Sequence, residues 1–98
     1  MPARDPLSDA QIDDALAGLD GWRRQPAPPR IVWEHTFEDF QTAWAFLTRV
    51  AFVAEGLDHH PEITNVYGHV RLALSTHDAG DRVTDTDLAF ARRVAQLG

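Results

Sequence analysis

Residues 64–75, TNVYGHVRLALS, carry the pattern that decides the fold. Side chains alternate along the second half of this stretch: Val70, Leu72 and Leu74 share one face, and Arg71, Ala73 and Ser75 share the other. Such alternation is typical of a strand with one buried face. Gly68 suits a tight turn between this strand and TNVY. The stretch therefore predicts a β-hairpin whose apolar face must be covered by helices.

The segment before this hairpin predicts a long amphipathic helix. Its apolar residues recur at helical spacing: Phe40, Ala43, Trp44, Leu47, Val50, Ala51 and Ala54. Asp39 is a favourable N-cap, and Gly56 weakens the far end. Pro61 makes continuation beyond His60 unfavourable, because proline disfavours a helical conformation in the preceding residue.

Two further helices are expected, one near each end of the chain, and each begins with a capping box. Ser8 with Gln11 begins the first helix, and Thr84 with Asp87 begins the third. Each start is followed by an apolar stripe at helical spacing, formed by Ile12, Ala15, Leu16 and Leu19 in the first helix and by Leu88, Ala91, Val94 and Ala95 in the third.

The remaining two strands are expected between the first and second helices. GWRR at 21–24 and IVWEHTF at 31–37 are the strand candidates, and QPAPPR at 25–30 predicts the loop between them. Two hairpins form one antiparallel sheet, with amphipathic helices over one face. We predict an α+β fold in one domain, 1–98: a four-stranded antiparallel sheet with three helices packed on one face, in the order α-β-β-α-β-β-α.

Composition excludes several classes of function. The 98 residues carry a net charge of −6 with no basic run, so a nucleic-acid partner is not expected. The absence of cysteine excludes disulfides and thiolate metal sites. The N-terminal stretch MPARDPLSDAQ lacks the apolar region of a signal peptide, and no segment is apolar enough to enter a membrane. We therefore expect a cytoplasmic protein.

Histidines mark two junctions between regular and irregular structure. His59 and His60 follow the second helix, and His77 follows the last strand. Their ordinary pKa, about 6.5, suits proton transfer, although histidines at a helix end also interact with free carbonyl groups. Glu55 would share a face with His59 if the helix continued that far. Asp87 is explained by capping alone.

The other two histidines are expected on the sheet. His35 shares a strand face with Ile31, Trp33 and Phe37, and His69 suits a solvent-facing strand position. A metal site is not expected, because the side chains of adjacent residues such as His59 and His60 point in different directions and no HExxH spacing occurs.

The spacing of these residues resembles the pterin-4a-carbinolamine dehydratase family. Glu55 is followed after three residues by His59-His60-Pro61, after five more by Tyr67, after nine more by His77, and then by Asp87. The flanking segments FEDFQTAWAFLTRVAFVAE and TDTDLAFA are also similar to the family. The resemblance extends from Leu19 to about Val94, nearly the whole chain.

The resemblance implies a function. Family members dehydrate 4a-hydroxytetrahydropterin to quinonoid dihydropterin, which recycles tetrahydrobiopterin. The pterin is the substrate, so no cofactor is implied, and a homodimer or homotetramer is expected. The resemblance assigns catalysis to His59, His60 and His77, with His59 and His77 as the acid/base pair. It assigns supporting roles to Glu55, Pro61 and Asp87, and pterin binding to His60, Ser75 and Thr76.

An alternative function and one departure stay open. Relatives on this scaffold act as dimerisation or assembly cofactors, so a protein partner is the alternative to catalysis. The family usually has Gly-Gly-Leu-Thr after the downstream histidine segment. This chain has GDRVT at 80–84, which is one residue longer and more charged.

Overall fold

The computed structural model describes residues 5–97 and confirms the predicted α+β architecture. The elements, in chain order, are α1 (Asp9–Leu16), β1 (Trp22–Pro26), β2 (Pro29–Thr36), α2 (Phe40–Leu57), β3 (Glu62–Val66), β4 (His69–Leu74) and α3 (Asp85–Ala95). A single 3₁₀ turn, His77–Ala79, lies between β4 and α3. Residues 1–4 and 98 of the predicted domain lie outside the described residues.

The four strands form one antiparallel sheet in the order β1-β2-β4-β3. The two central strands, β2 and β4, pair from Ile31 with Leu74 to Thr36 with His69. On one face, Ile31 and the alternating residues of β4 are almost completely buried, as the hairpin pattern predicts. The other face carries charged pairs such as Arg23 with Glu34.

The helices cover the apolar face and begin where the sequence predicts. Ser8 and Gln11 form the capping box of α1, Asp39 caps α2, and Thr84 forms the capping box of α3. Buried residues of all three helices and of the apolar sheet face form one hydrophobic core. Within residues 5–97, no helix is both long and apolar enough to cross a membrane.

The first hairpin is tighter than the predicted loop at 25–30. The strands continue through Pro26 and Pro29, which face each other, and only two residues connect them. Proline is tolerated in this position because β1 is an edge strand and Pro26 lies at its end, where a missing N–H group weakens the ladder little.

The second hairpin requires a glycine for a different reason from the one predicted. Tyr67, not Gly68, has the positive φ, +54°. A Cβ atom at Gly68 would lie only 2.4 Å from the carbonyl oxygen of Phe37. The amide of Phe37 also donates to the carbonyl of Gly68 at 2.7 Å. Gly68 therefore allows the hairpin to pack closely against the end of β2.

Candidate functional site

The pairing of β3 with β4 places both histidine junctions at the same end of the sheet. Glu62, the first residue of β3, lies opposite Ala73, near the end of β4. The segment 59–61 and the segment 75–77 are therefore neighbours. Tyr67 lies at the opposite end, because the five residues of β3 separate it from Pro61. The family spacing thus includes a residue that the fold keeps away from the histidines.

The C-terminus of α2 directs His59 into the protein. Asp58 adopts a left-handed conformation (φ 48°, ψ 46°), which ends the helix and changes the direction of the chain. The amide of His59 then donates to the carbonyl of Ala54 at 3.0 Å. The side chain is only 10% exposed and its ring lies edge-on to Phe90, with ring centroids 6.3 Å apart.

The buried partner of His59 is Asp87. Nε2 of His59 lies 2.5 Å from Oδ1 of Asp87, which is completely buried. The other carboxylate oxygen, Oδ2, accepts hydrogen bonds from the Thr84 amide at 2.9 Å and the Thr76 hydroxyl at 2.8 Å. Asp87 therefore caps α3 and holds the histidine at the same time. Capping of α3 through Oδ2 is compatible with a supporting role toward His59 through Oδ1, because the two contacts use different oxygens of the carboxylate.

This arrangement has a direct chemical consequence. A carboxylate with both oxygens engaged cannot rotate freely, so it holds the ring of His59 in one orientation. Because Nε2 faces Asp87, Nδ1 is the nitrogen through which His59 can exchange a proton with a ligand.

Thr76 has a structural role in this arrangement. Thr76 is buried, and its hydroxyl donates to Oδ2 of Asp87. The same hydroxyl lies 2.7 Å from the hydroxyl of Thr84. The hydroxyl is thus engaged within the protein, and the contact with pterin that the resemblance implies for Thr76 stays a prediction. Ser75, the neighbouring candidate for pterin binding, is partly exposed.

His60 has the partner that the helical spacing assigned to His59. Nε2 of His60 lies 2.8 Å from Oε2 of Glu55, and both side chains are exposed. The difference arises because α2 ends at Leu57, so the i,i+4 geometry does not reach residue 59. Pro61 follows, partly buried, and leads into β3.

His77 is the most solvent-exposed histidine of the site, with its side chain 90% exposed. Its Nδ1 lies 3.0 Å from Oδ1 of Asp81. The hydrogen bond to Asp81, followed by the charge of that carboxylate, raises the pKa of His77 above its ordinary value. His77 also directly follows Thr76, whose hydroxyl contacts Asp87, so the hydrogen-bond network of Asp87 extends to the residue beside His77.

Asp81 and Thr84 are site residues that the sequence analysis did not select. Asp81 lies in the GDRVT loop, has a positive φ of 59°, and follows His77 by four residues. The i,i+4 spacing of an acid and a histidine was the signal that could have identified it. Thr84 was recognised only as a cap, because its contact with Thr76 depends on the tertiary fold.

Side chains that could bind a metal do not cluster in the part of the chain that the structure describes. Among residues 5–97, no group of three or more histidine, aspartate or glutamate side chains converges closely enough to hold an ion. The site instead combines one buried imidazole–carboxylate pair with two exposed imidazoles, each beside its own carboxylate. Such an arrangement suits proton transfer.

Known proteins with related sequences support a family assignment. The family model described as pterin 4 alpha carbinolamine dehydratase matches residues 5–97. Proteins from Brucella ovis and Brucella canis are 39% identical over 92 residues, which cover 94% of this chain and 94% of theirs. Both carry the name pterin-4-alpha-carbinolamine dehydratase as a provisional assignment.

Solved structures agree with the sequence comparison. A crystal structure described as a transcriptional coactivator/pterin dehydratase from Brucella melitensis has a TM-score of 0.88 and 36% identity, covering 95% of this chain and 98% of that one. A pterin dehydratase-like protein identified as a RuBisCO assembly factor in the alpha-carboxysome has a TM-score of 0.65 and 29% identity, covering 79% of this chain and 88% of that one. The chain therefore belongs to the pterin 4 alpha carbinolamine dehydratase family.

Proposed function

We propose that this protein catalyses the dehydration of 4a-hydroxytetrahydropterin to quinonoid dihydropterin. The observation that carries the proposal is the buried His59–Asp87 pair, held by Thr76 and Thr84 at the sheet end where His60 and His77 also lie. Membership of the dehydratase family supports it.

The reaction needs an acid and a base in one site. Protonation of the C4a hydroxyl lets it leave as water, and loss of the N5 proton supplies the electrons for the new C4a–N5 double bond. The products are water and the quinonoid dihydropterin, so no metal or organic cofactor enters the balance. Each positioned acid or base typically accelerates such a step about 10²- to 10⁴-fold.

The two environments favour different roles for His59 and His77. The raised pKa of His77 keeps more of its imidazole protonated near neutral pH, which favours it as the acid for the leaving hydroxyl. His59, with a carboxylate behind its ring, suits the base that takes the N5 proton. His60 and Ser75 then bind the pterin, while Glu55 orients His60. In a cytoplasmic setting this reaction would recycle tetrahydrobiopterin.

We also propose that the protein is a homodimer or homotetramer. Phe40, Trp44 and Phe52 form an exposed aromatic stripe on α2, and the rings of Phe40 and Trp44 stack at 5.8 Å. Phe40 and Phe52 lie twelve residues apart, about 18 Å along a helix. A second copy of the chain covering these rings would remove them from water, which favours association through α2.

A non-catalytic assembly role is the second candidate. Two observations favour it: the exposed aromatic stripe offers a contact surface for a protein partner, and a related protein is identified as a RuBisCO assembly factor. Such a role would use the stripe rather than the histidines. The two candidates therefore respond to different substitutions.

The deciding experiment is stopped-flow dehydration of synthetic 4a-hydroxytetrahydropterin, corrected for the spontaneous rate. We expect the wild type to accelerate the reaction and His59→Ala and His77→Ala each to lose at least about tenfold. His69→Ala is the matched control, because His69 lies on the open face of the sheet and contacts Glu34 and Thr36. No acceleration by folded wild-type protein would exclude the dehydratase and favour the assembly role.

A further inference from the structure

A groove of about 640 Å³ opens on the helix side of the sheet, away from the histidine site. It lies above β2, because α1 packs mainly on β1 while α2 packs on β4 and α3. None of the residues proposed for dehydration lines it. Its volume falls within the range of about 300–1,000 Å³ that is usual for small-molecule sites.

Aromatic rings form the floor and one wall of this groove. Trp33 on β2 stacks against Phe46 on α2, with ring centroids 5.2 Å apart, and Phe37 lies 5.1 Å from the same ring. Trp22 on β1 extends the floor, 6.5 Å from Trp33. A surface of rings at these separations offers stacking contacts to a flat ligand.

Four polar side chains line the groove: Asp20, His35, Thr42 and Arg49. The ring of His35 stacks on Trp33 at 5.7 Å, and among the described residues its nitrogens have no hydrogen-bond partner. Arg49 makes one long contact, 3.4 Å, to the carbonyl of Leu97, although a guanidinium has five N–H donors. Asp20, on the loop after α1, is the acidic group of the lining.

We infer that this groove binds a small planar aromatic acid. The ring system would pack against Trp33 and Phe46, and the carboxylate would accept hydrogen bonds from Arg49, with His35 beside it. A guanidinium stays charged at all relevant pH values and matches a carboxylate in geometry, which makes Arg49 the group that selects the anion.

The probes are 1-naphthoate and its uncharged analogue 1-naphthamide, titrated into ¹⁵N-labelled protein and followed by NMR. The protein has three tryptophans and thus three indole N–H signals. Trp22 and Trp33 line the groove, whereas Trp44 lies in the exposed stripe of α2 and serves as an internal control. We expect naphthoate to shift the signals of Trp22 and Trp33 but not that of Trp44, with a Kd on the order of 0.1–1 mM.

Two variants test the binding mode. Arg49→Gln should weaken naphthoate binding about tenfold and leave naphthamide binding unchanged. Ala45→Phe, which adds a ring inside the groove, should abolish the shifts; Ala51→Phe, an exposed position of α2 outside the groove, should not. Circular dichroism checks that each variant is folded. If Ala45→Phe does not fold, Arg49→Gln still tests the inference.

Several results would overturn the inference. They are the absence of shifts at 5 mM naphthoate (~50-fold above the tighter expected Kd), equal shifts of all three indoles, and naphthamide binding as tightly as naphthoate. Groove signals that change with protein concentration alone would show that a second copy of the chain covers the groove, which would also exclude a ligand site there.

Discussion

Replacing Asp87 with alanine tests whether the buried carboxylate holds the candidate site together. The carboxylate accepts two hydrogen bonds through Oδ2 and contacts His59 through Oδ1. At about 1–1.5 kcal/mol for each buried hydrogen bond, the loss of three amounts to about 3–4.5 kcal/mol. That is a large part of the roughly 5–15 kcal/mol that stabilises a domain of ordinary size.

The measurement is urea unfolding followed by tryptophan fluorescence. With a slope of about 1.5 kcal/mol per molar urea, Asp87→Ala should lower the unfolding midpoint by roughly 2–3 M. Asp85→Ala is the matched control, because Asp85 is an exposed acidic residue in the same first turn of α3. It should cost at most about 1 kcal/mol, the usual effect of a charge near a helix end.

A double-mutant cycle isolates the contact with His59. If the two side chains interact as the geometry indicates, the costs of His59→Ala and Asp87→Ala should fall short of additivity by about 1–3 kcal/mol in the double variant. Additive costs, or a loss in Asp87→Ala no larger than that in Asp85→Ala, would refute the reasoning that Asp87 joins α3 to the histidine.

Three other predictions concern the loop, the glycines and the stripe. Asp81→Asn, which preserves shape, should lower the pKa of His77 toward its ordinary value. The pairing of His77 with Asp81 stabilises the fold at pH values below the pKa that His77 has in the unfolded chain. This stabilisation is lost as the pH rises through the higher pKa that His77 has in the folded protein. An NMR titration of His77 that Asp81→Asn leaves unchanged would contradict the assignment. Gly68→Ala should destabilise the fold by about 1–3 kcal/mol, because the new Cβ would clash with the Phe37 carbonyl. Gly56→Ala should stabilise the fold by about 0.5–1 kcal/mol, because Gly56 lies inside α2 with open space around it. Thermal unfolding measures both effects, and equal effects would disprove the close approach at Gly68. Phe52→Ser should lower the mass found by sedimentation, and identical masses for wild type and variant would argue against the stripe as the oligomer contact.

Local patterns predicted most of the fold. The alternation at 70–75 identified the buried face of β4, and the three N-caps placed the starts of α1, α2 and α3 correctly. These signals are reliable here because each depends on residues within a turn or two of one another. The loop at 25–30 was predicted too long, because proline content alone does not show that an edge strand tolerates Pro26.

The sequence named candidate site residues, but it did not predict how their side chains pair. The three histidines, Glu55 and Asp87 were selected by type and spacing, whereas Asp81, the partner of His77, was not. The fold brings His59 and Asp87 together across 28 positions of sequence. His59 was predicted as the partner of Glu55 on the assumption that the helix continues as far as residue 59. One left-handed residue, Asp58, changed the path of the chain, so that His60 lies beside Glu55 and His59 turns inward.

The sequence by itself determined the order of the elements, the apolar face of the sheet and the family, because periodicity, capping and motif spacing are properties of neighbouring residues. Only the tertiary structure decided which imidazole is buried, which carboxylate faces it, and that the Thr76 hydroxyl contacts this carboxylate. It also left the groove above β2 open. The physical reason is that burial and side-chain pairing depend on strand register and on the direction in which each helix ends, and both are set by packing between elements distant in sequence.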